Sequence, residues 1–287
     1  MVLEQIYSAQ WIERKATSAF LLGVAYSIIG IAFALFIFPE DPGLAAVALT
    51  TIILIPSMVK LLSIEEEEAA LRDKFSFRYL YADHRDIFKV YFFLFLGIFL
   101  SFAFFSIALP SIATSHLFEK QINMLGLASG GATTEAAGEV SGYSFSFFSI
   151  FTNNLKVLIF CLLFSFVYGA GAIFLITWNA SVWGVIFGVI AKNSAMVTGE
   201  NAFLFFILTF IAVFPHMFAE ASAYFIGALS GGIISEAALR ERVFSPGFTQ
   251  VVKDGLIVFL IAVIILIIAA YVEIIVPGKV INFFGIG

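Results

Sequence analysis

AFLFFILTFIAVFPHMFAEASAYFIGALSGG, residues 202–232, decides what kind of molecule this is. It holds one histidine and one carboxylate and neither lysine nor arginine. An apolar run like this has no place on a soluble surface, and it exceeds the roughly 20 residues that a helix needs to cross a hydrocarbon core. At about 1.5 Å per residue it would extend roughly 46 Å, too long for one straight crossing. Pro215, near its middle, removes a backbone donor, so the stretch reads as a span broken at Pro215.

The rest of the chain agrees with that class. Hydrophobic residues make up 61% and charged residues 12%, where soluble domains carry about 25% charged residues. The mean hydropathy is +1.05. The expected fold is an all-α polytopic transmembrane helical bundle of about seven spans, embedded in a lipid bilayer. The single cysteine, Cys161, lies in an apolar run and excludes a disulfide framework within one chain.

Runs of the required length are Ser18–Phe38, Gly43–Leu62, Val90–Leu109, Val157–Thr177, Ala180–Ala191 extended past Lys192, Ala202–Gly232 and Leu256–Ile275. The first is longer than the roughly 7–15 residues of a signal core and reads as a retained span. Lysine and arginine gather on the cytoplasmic side of membrane proteins. An N-terminus inside puts eleven of the fifteen basic residues inside, among them Lys60, Arg72, Arg85, Arg240 and Lys253. Only Lys120, Lys156, Lys192 and Lys279 then face out.

This divides the chain into an inner segment 1–17, a three-span region 18–110, an outer loop 111–153 and a four-span region 154–287. The charged inner loop 63–89 carries EEEEAALRDK, a solvated helical extension in which Glu68 and Arg72 are favourably spaced. A cation or partner site at Glu65–Glu68 is the competing reading. In the outer loop, SHLFEKQINML reads as a short interfacial helix. The GLASGGATTEAAGEVSG that follows it reads as a flexible tract. The chain has no phosphate loop, dinucleotide fingerprint or aromatic-laced basic patch, so neither a cofactor nor nucleic acid is expected.

Within the spans, His216 and Glu220 stand one helical turn apart on one face. Ionisable residues at membrane depth are functional candidates by default. Two readings stay open: the pair holds the bundle together by hydrogen bonds, or it handles protons or cations. A zinc site lacks its third ligand, and Ser230 lies roughly 21 Å from His216 along one helix, too far to share a proton. No catalytic and no metal-binding residues are assigned. Ala219, Ala223, Gly227 and Gly231 form a small-residue stripe, with Gly184 and Gly188 as a second pair, and such stripes let helix backbones approach within a chain or in a homo-oligomer.

The run IFTNNLKVLIFCLLFSFVYGAGAIFLITWNASVWGVIFGVI, followed by HMFAEASAYFIGALSGG, FSPGF and AAYVEIIVP, resembles the stage II sporulation protein M family over residues 150–277. The resemblance marks Asn153, Asn154, Asn179, Gly184, His216, Glu220, Gly231 and Glu273 as the polar and small signature. Ala180 departs from it where a glycine often follows the asparagine. Read physically, Asn153 and Asn154 are expected to cap the fourth span, Asn179 to mark the turn after it, and Glu273 to lie too far toward the outer face to meet His216 and Glu220. What the resemblance implies is a non-catalytic plasma-membrane scaffold that organises other envelope or membrane proteins. The alternative is a secondary transporter or channel that uses His216 and Glu220.

Overall fold

The computed structural model describes residues 16–70, 77–128, 147–168, 171–240, 242 and 245–284. Among them the chain is helical and carries no strand. The helices, in order, are α1 (Ala16–Ile37), α2 (Pro42–Ala70), α3 (Phe77–Ala108), the short α4 (Ser111–Leu117) and α5 (Glu119–Ala128), α6 (Phe147–Val167), α7 (Ala172–Thr198), α8 (Ala202–Arg240) and α9 (Pro246–Phe284). Seven of these are long and apolar enough to cross a membrane, all except α4 and α5.

Two boundaries differ from the expectation. The fourth and fifth spans run Phe147–Val167 and Ala172–Thr198, so the chain reverses between Val167 and Ala172 and not between Thr177 and Ala180, and Lys156, expected to face out, lies inside the fourth span. Apolarity runs on through that turn and hides it. The signal there is conformational, since a Cβ on Gly171 would collide with the Phe164 carbonyl. The sixth span is not broken at Pro215: α8 is one helix of 39 residues with the proline inside it. Proline deletes a single hydrogen bond, whereas a break would leave several backbone groups unpaired in lipid. The ring itself faces outward, since Pro215 is exposed.

Turn chemistry fixes the remaining junctions. Gly199 adopts φ 78° at the C-terminus of α7, and its N–H reaches the Ala195 carbonyl at 2.8 Å. The Asn201 side chain then accepts from the Phe203 N–H at 2.8 Å, capping α8. Ser245 does the same for α9 through the Phe248 N–H at 3.1 Å, and Pro246 occupies the first helical position, where a missing donor costs nothing.

The core is aromatic and centred on α3. Tyr91, Phe95, Phe99 and Phe102 recur at helical spacing and are almost completely buried. Phe225 of α8 stacks on Tyr91 at 5.8 Å, Trp183 of α7 meets Phe95 edge-on at 5.5 Å, and Phe118 covers Phe102 at 5.6 Å. Each such pair contributes about 0.5–1.5 kcal/mol beyond its buried area. α3 thereby joins α1 on one side to α7 and α8 on the other. The loop segment expected at an interface folds as α4 and α5, with Leu117 and Phe118 buried and the Gln121 amide donating to the Gly43 carbonyl at 3.1 Å. His116 is exposed. The side chains of Glu65–Glu68, residues 129–142 of the tract expected to be flexible, and residues 1–15 of the inner segment lie outside the described residues.

Candidate functional site

Glycine contacts set the helix spacing that creates the site. In lipid no hydrophobic force draws helices together, so close backbone approach must supply the attraction. Gly97 of α3 meets the Phe20 carbonyl of α1, Gly184 of α7 meets the Phe99 carbonyl of α3, and Gly231 of α8 meets the Leu162 carbonyl of α6. Gly227 faces Leu158, and Gly188 packs on Ser106 with 2.7 Å for an added Cβ. Ala223 is fully buried and Ala219 half-buried. The glycine half of the stripe on α8 is thus occupied by α6 of the same chain.

Above that stripe lie the polar groups. Glu220, 5% exposed, accepts a hydrogen bond from the Tyr224 hydroxyl at 2.6 Å. The Asn154 side chain of α6 lies within hydrogen-bonding reach of the same carboxylate, and Glu273 of α9 is close enough to interact with it electrostatically. Three helices therefore converge on Glu220. Ordering by depth placed Glu273 apart from it. Phe147, at the start of α6, packs on Tyr271 at 4.9 Å, so Glu273 stays near the outer end of the α9 span and acts on Glu220 through space without bonding it.

His216 is 8% exposed, and its Nδ1 has no hydrogen-bond partner among the described residues. The bond between His216 and Glu220 that one reading required is not formed among the described residues; Tyr224 donates to Glu220 instead. Asn179 is not at a turn. It lies inside α7, with its amide donating to the Leu175 carbonyl at 2.8 Å. Asn153 and Asn154 are likewise in the second turn of α6 and cap nothing; Asn153 donates to the Asn154 side chain at 3.3 Å. Among the described residues no three histidine, cysteine or acidic side chains are grouped to hold a metal ion.

Several participants escaped the sequence reading. Tyr224 follows Glu220 at the four-residue spacing that already singled out His216, so its signal was present. Lys192 donates to the Leu109 carbonyl at 2.5 Å and to the Thr114 hydroxyl at 3.0 Å, closing the end of α3 against α7. Ser230 donates to the Gly255 carbonyl of α9 at 2.7 Å, and Asp254 is buried beside Gln250. The Lys192 and Ser230 partners are too far apart in sequence to leave a local signal.

A model of the family described as Stage II sporulation protein M matches residues 90–276. The match begins at α3 and so reaches farther toward the N-terminus than the resemblance seen in the sequence. An uncharacterized protein of Methanocaldococcus jannaschii is 31% identical over 144 residues, covering 49% of this chain and 76% of that protein. No solved structure matches the chain.

Proposed function

The chain belongs to the stage II sporulation protein M family, and on that premise we propose that it is a non-catalytic scaffold of the plasma membrane that gathers other envelope or membrane proteins. What supports this reading is the way the buried polar groups are bonded. Glu220 accepts from Tyr224 with the Asn154 side chain within reach, Ser230 bonds Gly255, Ser106 donates to Val185 at 3.1 Å, and Lys192 closes α3. Most of these link one helix to the next, as structural groups in a bundle do. Glycine contacts at the same crossings hold the backbones at fixed distances. The product is a stiff multi-pass frame, and the work of such a frame is to hold partners in place.

Native mass spectrometry of the full chain, extracted from its own membranes in mild detergent, tests this. The scaffold reading predicts complexes with one or more other membrane proteins at fixed stoichiometry. A chain that emerges alone at 31.4 kDa under conditions that preserve known membrane complexes contradicts it.

A further inference from the structure

The outward row on α6 changes character halfway along. Residues 149, 153, 156, 160, 163 and 167 follow one another at three- and four-residue steps, so they line up on one side of the helix, and all are exposed. Phe160, Leu163 and Val167 suit lipid. Ser149, Asn153 and Lys156 do not. Thr152, beside them, satisfies its hydroxyl on the Phe148 carbonyl at 2.6 Å, and Asn153 has the bond to Asn154 described above. Lys156 forms neither hydrogen bond nor ion pair with any described residue.

Lys156 is also deep. The Phe147–Tyr271 contact puts the start of α6 near the end of the α9 span. Lys156 follows roughly 14 Å farther along a helix about 31 Å long, inside a hydrocarbon layer about 30 Å thick. A cation at that depth is costly unless paired, and amide and hydroxyl groups there serve as contacts between helices. Soluble proteins do not reach it.

Charge selects the occupant. The seven spans of this chain hold three carboxylates: Glu220 and Asp254 are buried, and Glu273 is half-buried at the outer end of the α9 span, level with the start of α6. A second copy therefore has no exposed carboxylate to offer at the depth of Lys156, and pairing α6 with α6 would oppose two lysines. We propose that the Ser149–Asn153–Lys156 face of α6 docks a transmembrane helix of a different protein that carries an aspartate or glutamate two to three turns from its end. This inference deepens the scaffold reading and rests on it, yet its test does not depend on recovering native complexes.

The probe is a 21-residue poly-leucine transmembrane peptide carrying one glutamate about one third along, compared with peptides carrying glutamine or leucine there. Full-length protein with a photo-crosslinking residue in place of Phe160 is reconstituted with each peptide in neutral-lipid vesicles, and replacement of Ile264, exposed on α9, provides the control face. The proposal expects glutamate-peptide crosslinks at position 160 at least fivefold above those of the leucine peptide and above those at position 264. It expects Lys156→Leu to abolish the excess and Lys156→Glu to restore capture with a lysine-bearing peptide. Both substitutions are on an exposed face, and an unchanged melting temperature verifies the fold.

Crosslinking that ignores the peptide's charge, or is equal at position 264, overturns the proposal. Crosslinks from position 160 to residues 129–146 of the same chain also overturn it, because the chain then covers its own face. Loss of glutamate-peptide capture when phosphatidylglycerol is added overturns it in favour of an anionic lipid.

Discussion

Substituting alanine at Gly231 and at Gly232 should move stability in opposite directions. The two glycines are neighbours in α8, so replacing either one gains about the same helix propensity, up to about 1 kcal/mol. Their surroundings differ completely. A Cβ on Gly231 would overlap the Leu162 carbonyl of α6 and come within 2.9 Å of the Ser165 Cβ and 3.0 Å of the Leu162 carbonyl carbon, whereas one on Gly232 meets nothing within 4 Å. Because the obstruction is mainly backbone, α6 and α8 must separate, and overpacking of that kind costs about 1–3 kcal/mol. Propensity cancels between the variants, so Gly231→Ala should be less stable than Gly232→Ala by about 1–3 kcal/mol. The single cysteine supplies the assay. Cys161 is fully buried on α6, one residue before Leu162, so a thiol-reactive dye reports the opening of this same interface during a thermal melt in detergent. Gly231→Ala should label at the lower temperature and Gly232→Ala at or above the wild-type temperature. Coincident melts would refute the claim that backbone contact at Gly231 joins α6 to α8.

Three further substitutions probe other joints of the frame. Tyr224→Phe removes the donor to Glu220 and should destabilise by about 1–3 kcal/mol, the cost of a buried polar group left short of a partner; the same dye melt measures it. Lys192→Met should cost a similar 1–3 kcal/mol by freeing the Leu109 carbonyl and the Thr114 hydroxyl, and hydrogen exchange should show it as faster opening at the end of α3. Pro215→Ala should leave the fold intact and raise stability by up to about 3 kcal/mol, since the helix already continues and the ring is exposed. A loss of stability in that variant would mean the proline shapes α8 in a way the continuous helix does not account for.

The class of fold was legible in the sequence because lipid imposes a coarse rule, about 20 apolar residues per crossing, that composition alone can meet. Boundaries were legible only where turn chemistry marks them. Pro42 and the Ser245–Pro246 pair stand at helix starts and Gly199 at a helix end, but the 168–171 turn is as apolar as its flanks. Pro215 misled because the rule that proline ends helices belongs to water, where freed carbonyls find solvent; in lipid the cheaper answer is one missing bond. At the site, His216 and Glu220 were visible as ionisable residues at depth, and the glycine stripe was visible by its spacing. Tyr224 carried the same spacing and was overlooked. The approach of Asn154 to Glu220 was not readable, because it depends on how α6 packs beside α8, and no local pattern encodes that.

The scaffold account turns on whether Glu220 and His216 hold helices or pass ions. The direct measurement is proton, sodium and potassium flux into liposomes containing a trapped pH dye or ion indicator, for the wild type, His216→Ala and Glu220→Gln, with folding verified by the Cys161 melt. The account predicts flux no greater than in protein-free liposomes for all three proteins, with the variants differing from wild type only in melting temperature. A wild-type flux that disappears in folded His216→Ala or Glu220→Gln protein would contradict it and make the polar centre of α8 a conduction site.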